Sequence, residues 1–461
     1  MNRTLCELFA GVGGFRCGLN HISELDDLNR PEEWQTTWFS QWEPAEKKSQ
    51  YAHSCYVNHF GDLPDIKGNY TTNINIEDVD KSLIPDFNLL VGGFPCQDYS
   101  VASTLSTSLG LEGKKGILWW SIRDTLEAKN PPFVLLENVD RLIKSPAKQR
   151  GRDFGIILAC FRDEGYNVEW RVINAAEYGY QQRRRRTFIF AYKNDLHYSN
   201  DLNNTIGYTT SSDDDLQRNQ IARLIFSEGF FAKTFPIEVR DSKYIKIENL
   251  PEKLGELSAG FSFNFENSGC MLNGKIYTVK TTPLYDGPTR TLGDIMETDA
   301  VDESFFIEPN KLYYTTPSVT SNDSRTNPLT DAEKKTWQYL KGGKKIVRTA
   351  KNGHEYVFSE GPIPMIDASN KPARTMLTSE GSFSRTTHIV RDLQSNNIRL
   401  LTPTEAERIQ GFPTNWTRDC LVNGTIENMP TKKRMFMMGN ALVVNLISQM
   451  EPYLNEIITN E

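Results

Sequence analysis

Along the first two fifths of the chain, short apolar runs alternate with stretches in which apolar residues recur at helical spacing. Residues 4–9, 87–91, 133–136 and 187–192 are β-type runs, each ending in a polar or glycine-rich loop. Between them, Leu118, Ile122 and Leu126, and again Phe154, Ile157, Leu158 and Phe161, fall on one helical face. Strands separated by crossover helices predict an α/β lobe with a mostly parallel, Rossmann-like sheet, and place the strand-end loops in one crevice. After Tyr192 the alternation stops. Residues 193–395 are rich in Asn, Ser, Thr, Asp, Gly and Lys, with interrupted apolar runs, and predict a second, irregular domain of the kind that carries recognition. Helical patterning returns over 401–447, where Thr402, Pro403, Thr404 and Glu405 have the chemistry of a helix start, so residues 396–461 are expected to rejoin the first lobe. No internal repeat is visible.

Bulk properties narrow the classes little. A chain of 461 residues with 38% hydrophobic and 24% charged residues suits a soluble two-lobed enzyme. The formal charge of -7 argues against a nucleic-acid partner only on average. Basic residues gather at Arg183 to Arg186, at Lys114 and Lys115, and between Lys334 and Lys351, so a basic cleft on an acidic protein remains open. The seven cysteines form no repeated CxxC, which leaves neither a zinc framework nor a disulfide scaffold. His53, Cys55 and His59 match no standard metal spacing and are read as packing residues. Without a signal-type start or an apolar run of spanning length, the chain is expected to be cytoplasmic.

Four loops carry candidate chemistry. The first, residues 9–15 (Phe-Ala-Gly-Val-Gly-Gly-Phe), lets backbone approach a ligand. With Glu43 placed for ribose hydroxyls and Trp42 for an adenine ring, it fits any nucleotide-like cofactor, nicotinamide included. The second puts the Pro95-Cys96 pair at the carboxyl end of a strand, where a thiol faces the crevice. The third, Glu137-Asn138-Val139, brings a carboxyl out of an apolar strand to the same place, poised to hold and donate a proton. The fourth, Gln182 to Arg186, adds cations to that rim.

In this order the loops resemble those of the DNA (cytosine-5) methyltransferases, of the compact bacterial restriction-modification type. Residues 9–15 look like that family's cofactor loop, Gly93 to Gln97 its catalytic loop, Glu137 to Val139 its proton-donor motif, and Gln182, Arg184 and Arg186 its Gln-x-Arg-x-Arg motif. Residues 399–405, 410–413 and 439–441 also match, so both ends of the chain are covered.

The resemblance implies S-adenosylmethionine as cofactor, S-adenosylhomocysteine as product, no metal, and double-stranded DNA as substrate, with the target cytosine flipped out of the helix. It implies Cys96 as nucleophile, Glu137 as proton donor, Arg186 on the cytosine carbonyl and Asn138 in support of the Glu137 loop, with Arg184 among the catalytic residues. It assigns Phe9, Gly11, Val12, Gly14, Trp42, Glu43, Ile76, Phe94, Leu118 and Asn440 to the cofactor. Two positions depart from the pattern. Asn75 stands where Asp is common beside the adenine amino group, and its amide oxygen can still accept that bond. Gln181 replaces a Pro, a change expected to alter only the turn. Residues 97–117 resemble a lid that closes over DNA, where Lys114 and Lys115 would meet phosphates.

Residues 193–395 take the place of the family's target-recognition domain. Segments at 337–345, 359–361 and 374–380 resemble a subgroup whose targets include GATC and GGNCC-like sites, and GGWCC or GGNCC is the expected target. A cognate restriction endonuclease would be a functional partner, and the protein a monomer. The rival readings are an RNA cytosine methyltransferase, a catalytically silent DNA-binding module and a nicotinamide oxidoreductase. The large recognition region disfavours the first; Cys96 and Glu137 at adjacent strand ends disfavour the second, and the Pro-Cys loop the third.

Overall fold

In the computed structural model, residues 1–43, 49–94, 118–211, 213–313, 332–350 and 353–461 are described. Nine strands form one mixed sheet in the order β2-β1-β3-β4-β6-β5-β8-β9-β7. These are β1 (Thr4–Leu8), β2 (Gln35–Ser40), β3 (Leu89–Gly93), β4 (Phe133–Val139), β5 (Tyr166–Asn174), β6 (Arg185–Lys193), β7 (Lys246–Asn249), β8 (Ser268–Leu272) and β9 (Lys275–Val279). The four strands β2-β1-β3-β4 pair in parallel, as the alternating pattern predicts, and their carboxyl ends carry the first three loops. β6 then enters antiparallel to β4, which brings the start of β6, with Arg185 and Arg186, to the rim where β4 finishes.

Both faces of the sheet are covered, so its strands are apolar on both sides rather than alternating. Leu89, Val91, Phe133, Leu135 and Phe188 join one core cluster, while their neighbours Leu90, Val134, Leu136 and Ile189 join the other. The first cluster takes the helices α1 (Gly14–Leu19) and Val444–Asn460, through Phe15, Leu19, Ile447 and Leu454. The second takes helices Leu118–Lys129 and Arg152–Asp163, and all seven residues of the two predicted stripes are in it. Gly18 sets the approach of the first and last helices, because a Cβ there would lie 2.4 Å from Cβ of Ile447.

The sheet does not stop at residue 192, where the composition changes. β8 and β9 form a hairpin beside β5, and β7 closes the edge. Polar neighbours mask these strands in the sequence, yet every residue of β8 is buried. β5 is equally disguised, since it carries Glu169 and Arg171 in its buried interior. Arg171 is held there by the carbonyls of Phe231 (2.9 Å), Phe235 (2.6 Å) and Ile225 (2.8 Å).

Beyond β9, the described residues form small two-stranded ribbons and short helices. The helix Pro403–Gln410 begins where the sequence places it. Thr402 Oγ1 accepts the Glu405 amide at 3.2 Å, and the Glu405 carboxylate accepts the Thr402 amide at 3.0 Å. Arg399 lies under this cap, fully buried between Asp392 (2.8 Å) and Glu405 (2.7 Å).

Candidate functional site

Three adjacent strand ends build the site. Gly93 at the end of β3 pairs in register with Glu137 on β4, and Val139 pairs with Arg186 at the start of β6. Glu137 is 8% exposed, and its Oε1 lies 2.7 Å from Arg186 Nε. Among the described residues the two form a buried ion pair at the rim.

Asn138 fixes the loop geometry. Its Nδ2 donates to the carbonyl of Phe94 at 3.0 Å, and its Oδ1 accepts the Val139 amide at 2.8 Å. The end of β4 is thereby tied to the residue at which the Pro95-Cys96 segment departs. Arg184, grouped with the catalytic residues by the resemblance, points elsewhere. It is 1% exposed and donates to the carbonyls of Met376 (2.9 Å) and Gly439 (3.1 Å). It is therefore a positioning residue that joins three distant segments behind Arg186.

Cys96 and residues 97–117 lie outside the described residues. The other six cysteines are all buried, and burial raises each thiol. None of these six offers an accessible thiolate. Cys55 packs against the Trp416 carbonyl, His59 stacks on the Trp416 ring at 3.8 Å, and His53 bonds Thr72 at 2.9 Å, which accounts for that trio by packing.

The first loop is shaped as a cradle. Phe9 and Gly11 adopt φ of 55° and 58°, and a Cβ on Gly11 would meet nothing within 4 Å. Phe9, Ile76, Phe94 and Leu118 all belong to the core cluster on one side of the sheet. Val12 belongs to the opposite cluster, and Gly14 lies against Leu442, two residues beyond the exposed Asn440. Trp42 is 39% exposed, leaving a ring face open. Glu43 sits at the start of the helix Tyr51–Phe60, where its Oε1 accepts the Ala52 amide at 3.4 Å and its backbone is held at both groups by Gln50. Asn75 caps the turn Ile76–Asp78, with Oδ1 accepting the Glu77 amide at 3.3 Å.

Several supports went unread in the sequence. Gln41 Oε1 accepts the Gly11 amide at 2.8 Å, and Trp416 Nε1 donates to the Val12 carbonyl at 2.8 Å. Glu7, a charge within an apolar strand, accepts the Phe15 amide and the Tyr56 hydroxyl. Gln181 corrects its expected role. Its Nε2 donates to the carbonyls of Arg408 (2.7 Å) and Ile409 (3.2 Å), at the carboxyl end of the helix Pro403–Gln410, so the residue joins two parts of the fold as well as shaping a turn.

Comparisons with known proteins identify what the chain is similar to. The family model described as "C-5 cytosine-specific DNA methylase" matches residues 3–451. The chain is 42% identical over 461 residues to the Type II methyltransferase M.Sau3AI of Staphylococcus aureus, covering 99% of this chain and 96% of that one. It is 32% identical over 192 residues to the Type II methyltransferase M.NgoBI of Neisseria gonorrhoeae, covering 41% and 50%. Among solved structures, a DNMT2 mutant of Spodoptera frugiperda superposes with a TM-score of 0.52 at 13% identity, covering 99% of both chains.

Proposed function

Because the chain belongs to the C-5 cytosine-specific DNA methylases and is a DNA methyltransferase of restriction-modification type, we propose that Cys96 is its nucleophile and Glu137 its proton donor. The observation that carries the reading is the buried Glu137 carboxylate, its Oε1 2.7 Å from Arg186 Nε and its backbone paired with Gly93, three residues before Cys96.

Carbon 5 of cytosine is a poor nucleophile until something adds to carbon 6. The Cys96 thiolate attacks carbon 6 while Glu137 gives a proton to ring nitrogen 3, which turns the ring into an enamine nucleophilic at carbon 5. Arg186 orients the Glu137 carboxyl and takes the cytosine carbonyl oxygen. After carbon 5 is alkylated, a base removes its proton and the carbon 6–sulfur bond breaks, regenerating Cys96. Asn138 and Arg184 hold the two strand ends in place. The target atom is stacked inside the duplex, so the cytosine must be flipped into the crevice.

Enzymes of this family use S-adenosylmethionine, which when bound supplies the methyl group and leaves as S-adenosylhomocysteine. The open backbone at Gly11, the exposed Trp42 ring, the Glu43 carboxylate and the wall of Phe9, Ile76, Phe94 and Leu118 fit an adenosyl group. Val12, Gly14, Asn75 and Asn440 complete that assignment.

We assign catalysis to residues 1–192 with 396–461, whose sheet β7, β8 and β9 extend, and choice of target to 193–395 outside those strands. The sequence-based expectation for the target is GGWCC or GGNCC. A second reading, a target shared with M.Sau3AI, is favoured by an alignment that spans 99% of this chain and so runs through the recognition region. The enzyme acts as a bacterial cytoplasmic monomer that protects host DNA from a cognate nuclease.

The test is transfer of labelled methyl groups to a random-sequence duplex library, to RNA, and to DNA by Cys96→Ser and Glu137→Gln. Cys96→Ser should abolish turnover, and Glu137→Gln should lower it by about 10²–10⁴-fold. Wild-type turnover by Cys96→Ser would end the covalent reading, and label entering RNA alone would reverse the substrate.

A further inference from the structure

The antiparallel ribbon formed by Lys344–Thr349 and Glu355–Glu360 has one face anchored and one face bare. Register pairs Lys344 with Glu360, Ile346 with Phe358 and Arg348 with Tyr356 on one side, and Val347 with Val357 on the other. On the first side the Arg348 guanidinium lies 3.7 Å from the Phe358 ring centre, and Lys344 lies over Tyr339 and donates to the Leu340 carbonyl. On the second side Val347 and Val357 sit directly opposite each other, 62% and 61% exposed. A two-stranded ribbon is marginally stable in water by itself, and this exposed apolar pair stands between the polar pairs Lys345–Ser359 and Thr349–Glu355.

Charge indicates what this face meets. Residues 344–360 hold four Lys or Arg against two Glu, on a chain whose formal charge is -7. The ribbon's root is hydrogen-bonded to the segment that meets the catalytic rim. Buried Lys341 donates to the Thr387 carbonyl at 2.7 Å, and Arg374 clamps Asp367 and the Thr386 carbonyl. Next to Arg374, the Ala373 carbonyl accepts the Arg183 amide at 2.8 Å, and the Met376 carbonyl accepts Arg184. A basic ribbon fastened to the loop that carries Arg186 is placed to contact the same duplex. The major groove admits a two-stranded ribbon, and the apolar feature it offers there is the thymine 5-methyl group.

We propose that this ribbon enters the major groove of the substrate and that Val347 and Val357 read a thymine methyl, which makes them specificity-determining residues. The proposal rests on the reading of the chain as a duplex DNA methylase.

The test uses the full-length enzyme. The methylated site is first mapped in the random duplex library, and each thymine in it is then replaced singly by deoxyuridine, which removes only the methyl group. For the wild type, kcat/KM should fall about fourfold at one position, the value of one buried carbon. The double variant Val347→Thr with Val357→Thr keeps β-branched side chains, and so the strand, but should treat the two duplexes alike. A mapped site without a T·A pair, a wild type indifferent to every replacement, or a double variant with the wild-type ratio would each overturn the proposal. Failure of the wild type to label DNA at all is a separate readout and would remove the functional reading itself.

Discussion

Replacing Glu7 by Gln should change how the protein's stability depends on pH. Glu7 sits in β1, 1% exposed, with the Phe15 amide at 3.2 Å and the Tyr56 hydroxyl at 3.1 Å. Burial raises its carboxyl from 4.5 to about 7, against the opposing pull of Arg16 and those two hydrogen bonds. Below pH 4.5 the group is protonated whether the chain is folded or not. Between 4.5 and 7 the unfolded chain releases the proton while the folded chain keeps it, so rising pH favours unfolding; beyond 7 the effect is complete. That interval corresponds to about 3 kcal/mol, of which about 2–3 kcal/mol falls between pH 5 and 8. Gln does not titrate. Equilibrium urea unfolding of both proteins, followed by tryptophan fluorescence at pH 5, 6, 7 and 8, should therefore show the wild type losing that amount relative to Glu7→Gln. Glu169, also raised to about 7 by burial, is present in both and cancels in the difference. A difference between the two proteins that stays constant to within about 0.5 kcal/mol across this range would refute the argument.

Other substitutions test the supports of the site. Gln181→Pro removes the bonds to the Arg408 and Ile409 carbonyls, and should cost about 1–3 kcal/mol in urea unfolding. Arg399→Met strands Asp392 and Glu405 without their buried cation, and should cost about 3–5 kcal/mol, read as a lowered urea midpoint. Gly18→Ala forces α1 away from Ile447, for a loss of about 1–3 kcal/mol by the same measurement.

What could be read from the sequence was whatever depends on local pattern. The strands that end in loops, the two helical stripes and the Thr402 to Glu405 cap were legible because each is specified by neighbours within a few residues. The adjacency of Glu137 and Arg186 was legible only through the family resemblance, because in a parallel sheet the loop before β6 would lie at the opposite edge, and it is the antiparallel entry of β6 that brings Arg186 to the rim where β4 ends. β5 was hidden because Glu169 and Arg171 read as surface charge, and only the carbonyls of residues 225–235 make their burial tolerable. Gln181 and Trp416 were hidden for a related reason. Their partners, at Arg408, Ile409 and Val12, lie more than two hundred positions away, and no local pattern encodes such a pairing.

The bond between Trp416 and the Val12 carbonyl spans 404 positions, and Gly18 meets Ile447 over a comparable separation. A ribosome adding about 5–20 residues per second needs tens of seconds to travel between the two partners. During that time the glycine-rich cradle exists without its clamp, and the face of β1 and α1 that Val444–Asn460 covers has no cover. The cradle is thus synthesised long before the residues that fasten it. Assembly of this protein is governed by contacts of very high order, and a nascent chain waiting for its final helix is the species on which a chaperone would act.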